Sequence, residues 1–336
     1  MASGKVARRT VVSDVAELLD SPEISALIEE LEALRWTGRK GFGARALVGA
    51  CLTKSLFGIP TWTMVAALIA EHPGLQDALG GNPSCWAMYR FARKLRENRP
   101  ALNACLDACA ASLRSKYPAM GRDVAIDASD MPAFANGQRY VHEGGPEREK
   151  FSDPDASWGH RSALATRAAG GFYGYKLHAA VCTATGLPLA WQVETGRRNE
   201  SLYVAPLIDK LHARGFKPET VAADRAYDNN RVYAEIEQRG CEPVIQLRGT
   251  KGNQIALPVA RGGRLFPRIP RHSEQFKTLY RRRVMVEKEF GRLKHEFGLG
   301  PLRVRGLARV QLHADLTMLA RLSQALCRAP AMPLAA

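Results

Sequence analysis

The chain has no continuous apolar run of about 18 residues, the length a membrane-spanning helix needs, and its start, MASGKVARRT, lacks the apolar core of a signal peptide. A soluble intracellular protein is the expectation. Its cysteines, Cys51, Cys85, Cys105, Cys109, Cys182, Cys241 and Cys327, are odd in number and scattered among apolar neighbours, so they read as reduced core thiols. Cys105 and Cys109 lie one helical turn apart, but no second pair with metal-like spacing accompanies them, which argues against a structural zinc. The eight histidines show no ligand spacing either, so neither zinc nor His-based nucleophilic catalysis is supported. Acids are also scarce, 33 against 48 Lys and Arg, giving a net charge of +15 over 336 residues. That balance favours a polyanionic partner, nucleic acid or an anionic membrane surface. With 46% hydrophobic and 24% charged residues the composition is otherwise globular.

The charge is concentrated. From Arg248 to Arg309 sixteen Lys or Arg face four acids, so +12 of the +15 lies in this segment. Upstream, residues 13–118 read as a helical domain with breaks near Pro22 and Pro100, and Arg90, Arg93, Lys94, Arg96 and Arg99 give it a basic surface. Those cations suit a DNA backbone, or are ordinary solubilising charge. From Asp123 the pattern becomes strand-like: DVAIDAS, a hairpin of YGYKLHAAVCTAT and LPLAWQVET across Gly186, then TVAADRAYD and EPVIQL, with helical runs between and after them. This order predicts an α/β domain, a mixed sheet flanked by helices, over 119–328. Within it 136–171 reads as a long loop and 248–273 as a basic loop; 1–12 and 329–336 read as a disordered N-terminus and a frayed tail.

In LYRRRVMVEKEFGRLKHEFG, Leu279 to Gly298, four polar residues recur at helical spacing: Tyr280, Arg283, Glu287 and Lys294. On one helix they share a stripe roughly 60° wide. Leu279, Val286, Phe290, Leu293 and Phe297 form an adjoining apolar stripe, and Arg281, Arg282, Lys288, Glu289, Arg292 and Glu296 occupy the opposite, solvent side. One acid between cations and a phenol suits a site for metal and phosphate, although such a stripe is as readily a solvated face. Two further acids, Asp127 and Asp224, stand where apolar strand runs end; each suits a cleft or a simple turn cap. Together with Glu287 they offer three hard oxygen ligands, enough to hold two divalent ions at a phosphodiester.

These pieces resemble a bacterial insertion-sequence transposase of the DDE type. Tyr280, Arg283, Glu287 and Lys294 match the family's Tyr-Arg-Glu-Lys signature, and IDASDMPAFANG, SDPDA, YGYKLH and ADRAYD are similar to its other segments, over about two thirds of the chain. The resemblance implies an RNase H-like catalytic domain preceded by a DNA-end-binding domain. It implies Asp127, Asp224 and Glu287 as catalytic ligands of two Mg²⁺ ions, with Mn²⁺ as substitute. It further implies hydrolysis at the transposon ends followed by attack of the freed 3′ hydroxyl on target DNA, by a homodimer acting on terminal inverted repeats. The expected location is cytoplasmic, on the nucleoid when DNA is bound. Tyr280, Arg283 and Lys294 would then contact DNA, together with Arg281, Arg282 and Arg292, and with Lys176 and His178 on a strand facing the substrate or a solvent edge.

Asn199-Glu200 departs from the His-Asp of many relatives before the following helix, which leaves the role of that acid open. Asp130 and Asp228 lie close to the chosen acids in sequence, but Asp127 and Asp224 directly end the apolar runs. Trp191 reads as core rather than as a platform for a base. Two other activities fit the same residues: a metal-dependent nuclease that cuts without joining, and a non-catalytic DNA-binding protein derived from a transposase.

Overall fold

Thr10 and Ser13 open the first helix, α1 (Val11–Leu19), by each accepting the other's backbone N–H. This satisfies two otherwise orphaned donors. The computed structural model describes residues 10–34, 41–137, 151–161, 168–248 and 262–329. Most of the expected disordered start and frayed tail therefore lies outside the described residues, but Val11 and Val12 are already helical. The chain divides into two compact units, Met1–Cys109 with Glu296–Gly298 and Asp315–Met332, and Ala110–His295 with Leu299–Ala314 and Pro333–Ala336. Residues 296–298 and 315–328 of the expected 119–328 domain fall in the first of these units. The sequence after Gly298 reads as one helix, α12 (Leu307–Arg328), and its later turns carry Leu316, Met318, Leu319 and Leu322, all buried.

The first unit is helical: α2 (Pro22–Ala33), α3 (Ala44–Leu56), α4 (Trp62–Glu71), α5 (Pro73–Leu79), α6 (Cys85–Glu97) and the start of α7 (Arg99–Lys116). Pro22, Pro73 and Pro100 each sit in a first turn, where no N–H is needed. In α5 the sequence PGLQDAL is too short to show a helical period, yet its Leu75 and Leu79 are fully buried. Small and apolar residues let α3 be buried on nearly every side, and even Lys54 is 6% exposed, its ammonium 5.5 Å from the Trp62 ring centre. Burial pushes that amine down to about 8. No helix among the described residues is long and apolar enough to cross a membrane.

The second unit is a mixed sheet flanked by helices. Its strands are β1 (Asp123–Pro132), β2 (Ser157–Arg161), β3 (Gly170–Cys182), β4 (Pro188–Thr195), β5 (Thr220–Ala223) and β6 (Glu242–Ile245). β3 pairs antiparallel with β1, β2 and β4, while β5 lies parallel to β1 and β6 parallel to β5. The expected hairpin turns through Gly186, whose φ of 70° suits glycine. The expected loop 136–171 contains β2 and the start of β3, because its glycines lower strand propensity while serving close packing. A Cβ on Gly159 would come within 2.4 Å of the Gly196 carbonyl oxygen.

A 3-10 turn (Glu200–Tyr203) leads into α8 (Val204–Ala213), and α9 (Asn230–Glu237) links β5 to β6. The described part of the basic loop is tied down rather than solvated: Arg268 pairs with Glu242 at 2.8 Å, and Arg271 donates to the Ile245 carbonyl and the Tyr233 hydroxyl. The expected single helix from Leu279 is two, α10 (Glu274–Arg282) and α11 (Val284–His295). At the joint the amides of Arg283 and Val286 bond three residues back, to Tyr280 and Arg283. That tighter winding interrupts the α-helical ladder.

α11 packs on β1 and β3 through Val286, Phe290 and Leu293. Glu289, expected on the solvent side, is 1% exposed and accepts from Arg292 at 2.9 Å. Leu293→Ala should therefore cost about 2–5 kcal/mol in urea unfolding, the usual penalty for a fully buried leucine. A change below about 1 kcal/mol would mean that α11 is not anchored by this side.

Candidate active site

Asp127 lies within β1, level with Ala179 of β3, and the strand continues past it to Pro132. What ends here is its parallel neighbour, so the strand-end reading of Asp127 is corrected. β5 pairs with β1 as far as Ala125↔Ala222 and stops at Ala223. Two residues beyond that pair, Asp127 and Asp224 emerge together at the rim of the sheet. Each binds backbone with one oxygen: Asp127 accepts from the Ala128 amide at 2.8 Å, and Asp224 from the Ala226 amide at 2.7 Å, capping a 3-10 turn (Arg225–Tyr227). Capping and site roles coexist in Asp224. Burial pushes the Asp127 carboxyl up to about 7, with the charges of Asp224 and Glu200 adding to the rise against the Ala128 amide and Arg283.

Arg283 is the cation that meets this crowding. Its Nη1 lies 2.7 Å from Glu287 Oε1 and 3.8 Å from Asp127 Oδ2, so it bridges α11 to the rim. Tyr280 completes the group: the Arg283 guanidinium sits 5.7 Å from its ring centre, and the ring stacks on Phe276 at 5.8 Å. Lys294 stands elsewhere, donating to the Asp130 carbonyl at 2.7 Å and 3.6 Å from its carboxylate. Arg161 approaches the same carboxylate at 3.9 Å. The four-residue stripe thus splits: Arg283 meets Asp127 with Tyr280 and Glu287 beside it, and Lys294 meets Asp130.

Among the described residues no group of three or more His, Cys, Asp or Glu side chains stands close enough to hold a metal ion. The two aspartates alone fit one, being hard oxygen donors whose mutual repulsion a divalent cation would relieve. Glu287 reaches them only through Arg283. The neighbouring acid Asp228 has a different fate. Arg264 grips it with two bonds, at 2.7 and 2.8 Å, and the Arg248 amide adds a third. Burial works to raise its carboxyl, but these partners and Arg271 outweigh it and hold it below the usual range.

Lys176 and His178 are buried in this fold. Lys176 is 9% exposed and bonds Glu200 at 2.7 Å; His178 is 1% exposed, stacked on Tyr203 with ring centres 4.1 Å apart. Strand alternation showed that they share a side, but not that the chain before α8 covers it. Arg292 holds Glu289, whereas Arg281 and Arg282 are exposed, Arg282 lying 3.7 Å from Asp123. Trp191 is core, with the Arg214 guanidinium 4.4 Å from its ring centre. None of the seven cysteines, all among the described residues, forms a disulfide.

One residue missed from sequence belongs to this neighbourhood. Tyr227 is 1% exposed, its hydroxyl finds no hydrogen-bond partner among the described residues, and burial together with the charges of Asp127, Glu200 and Asp224 raises it. Glu200, whose role the sequence left open, lies in the same neighbourhood and takes the Lys176 ammonium at 2.7 Å. Only the ADRAYD segment, which sets Tyr227 three residues from Asp224, could have flagged the tyrosine.

A model of the transposase DDE domain matches residues 118–322, more than half of the chain. The chain belongs to that family. It is also 37% identical over 81 residues to a Burkholderia cepacia protein named for a transposase of insertion sequence element IS402, a match that covers 22% of this chain and 38% of that protein. A solved piggyBac transposase synaptic complex with hairpin DNA is similar at a TM-score of 0.44 and 12% identity, over 98% of this chain and 78% of that one. The family match spans all of the acids discussed above. In SDPDA, another family-like segment, Asp153 accepts from the Tyr175 hydroxyl and the Gly306 amide, and Asp155 from the Leu307 amide, so this piece of the DDE domain fixes the start of α12.

Burial, reinforced by Lys176, pushes the His178 imidazole down to about 3, so it is neutral when folded. The unfolded chain takes up that proton near pH 6.5, and stability must therefore fall as pH drops through the window between these values. From pH 6.5 to 4.5 this group should account for roughly 2–3 kcal/mol of lost stability. His178→Phe, which preserves the stack on Tyr203, should remove that share in urea unfolding at the two pH values. Equal acid slopes for both proteins would refute it.

Proposed function

We propose that this member of the transposase DDE domain family is the DNA transposase of an insertion sequence, built on an RNase H-like sheet, with Asp127, Asp224 and Glu287 as its catalytic acids. The observation that carries the reading is the pairing of Asp127 with Asp224 at the rim, together with a guanidinium that joins Asp127 to Glu287. The antiparallel strands β1 to β4, continued by the parallel β5 and β6, support the sheet assignment.

Asp127 and Asp224 would hold divalent metal, Mg²⁺ with Mn²⁺ as substitute, and Glu287 would join them as third ligand in a two-ion site. Bound there, the metal supplies Lewis-acid activation of water or a 3′ hydroxyl and stabilisation of the leaving oxygen. Arg283 would turn from Glu287 to a phosphate oxygen of the DNA end, for which a planar fork of donors is suited. Tyr280 would hydrogen-bond to the DNA backbone from its stacked position, and Lys294, steadied by Asp130, would neutralise a neighbouring phosphate. Exposed Arg281 and Arg282 would extend that track. In the first step a phosphodiester oxygen at the transposon end leaves as water attacks phosphorus; in the second the freed 3′ hydroxyl attacks target DNA and a target 3′ oxygen leaves. A homodimer follows from the need to process two ends.

Asp224→Ala should abolish nicking of end-containing DNA in Mg²⁺ while DNA affinity stays within about two-fold, measured by gel cleavage and by fluorescence anisotropy. Nicking at the wild-type rate would sink the assignment. A precut end bearing a free 3′ hydroxyl should also give joined products with the wild-type protein; cleavage without joining would identify a nuclease instead.

A further inference from the structure

Helix α6 of the helical unit has one buried and one exposed side. Its buried side carries Met88, Phe91, Ala92 and Leu95. Opposite them, Trp86 is 69% and Tyr89 48% exposed, their ring centres 5.9 Å apart and their planes inclined by 48°. Arg90 and Arg93 are exposed on the same side, as positions four and seven residues after Trp86 must be. Lys94, also exposed, flanks them. Two large aromatic rings in water beside three cations are unusual on a soluble surface.

Charge decides what covers them. A second copy meeting this face across a twofold axis would bring the cations Arg90, Arg93 and Lys94 towards their own copies, with only Glu97, already 3.9 Å from Arg93, to oppose them. A nucleic-acid strand satisfies both parts of the surface, its phosphates taking the cations and a base stacking on a ring. A fully paired duplex offers the phosphates, but its bases are already stacked on one another. We propose that α6 binds DNA carrying an unpaired nucleotide, with the base stacked on Trp86 and Tyr89 and the adjoining phosphates held by Arg90 and Arg93. The inference rests on the reading of the chain as a DNA transposase, and adds that this helix distinguishes opened from closed DNA.

The test uses the full chain and two labelled DNAs, a blunt 30-base-pair duplex and the same duplex with a ten-nucleotide single-stranded tail, titrated by fluorescence anisotropy at fixed salt. Trp86→Ala and Tyr89→Ala, both at exposed positions, should each weaken binding to the tailed DNA about ten-fold and leave the blunt duplex within two-fold. The Arg90→Ala, Arg93→Ala double variant should weaken both DNAs and lower the salt slope by about two. Quenching of Trp86 fluorescence by the tailed DNA, absent with the blunt duplex, would locate the base. The proposal is overturned if Trp86→Ala binds the tailed DNA as the wild type does, or if that substitution dissociates a dimer in analytical ultracentrifugation, which would assign the face to a second copy. Wild-type protein that binds neither DNA would overturn the transposase reading along with it, whereas equal binding of both DNAs would overturn this inference alone.

Discussion

The site depends on a mismatch of strand lengths. β5 is four residues long and ends at Ala223, while β1 runs on to Pro132, so the parallel pairing stops where both chains next present an aspartate on the same side. Small residues, Ala125, Ala222 and Ala223, lie just before the acids and leave them close together. Two carboxylates near each other in a partly dry place repel, and the folded chain carries that cost only if something nearby opposes it. Arg283 does so, and its position is set in turn by α11, whose Val286, Phe290 and Leu293 are buried against the sheet. Hydrophobic burial on one side of a helix thus fixes an electrostatic contact on its edge.

The surplus of positive charge looks different once its partners are known. In sequence the run from Arg248 to Arg309 is a basic surface waiting for a polyanion. In the fold Arg264 neutralises Asp228, Arg271 ties β6 to α9, Arg292 neutralises a buried Glu289 and Arg283 serves the rim. A count of cations therefore overstates the face available to phosphates. Arg281 and Arg282 remain solvent-facing in this run, and α6 supplies a second cluster in the helical unit.

Much of this was legible because it follows from period and punctuation. Pro22 and Pro100 marked helix starts, Gly186 marked the hairpin, and the spacing of Val286, Phe290 and Leu293 marked the side of α11 that meets the sheet. The pairing of Asp127 with Asp224 was anticipated from two apolar runs ending in acid, although the rim is made by β5 and not by the end of β1. What stayed hidden was set by contacts distant in sequence. Strand β2 looked like loop because its Gly159 answers to Gly196, and Lys176 and His178 looked like an edge open to DNA or solvent because their cover, Glu200 and Tyr203, comes from a later turn. Glu289 looked solvated because a salt bridge three residues along, invisible to a hydrophobic period, lets an acid lie inside.

The segment ADRAYD shows why two similar acids so close in sequence acquire opposite roles. Asp224 leaves β5 and caps the 3-10 turn; Asp228 follows that turn inward and meets Arg264 and the Arg248 amide. The buried bidentate pair does not make the site reactive, but it pins the far end of the turn, and the Arg248 guanidinium pins its middle by donating to the carbonyls of Arg225 and Ala226. Asp224 therefore points from a fixed backbone, the kind of support that a preorganised site requires. Neutralising Asp228 also leaves the negative field of the segment centred on Asp224, beside Asp127 and the hydroxyl of Tyr227. One charge is cancelled while the other keeps a defined place, and the same arginine-rich region that reads in sequence as a nucleic-acid surface supplies the cancellation.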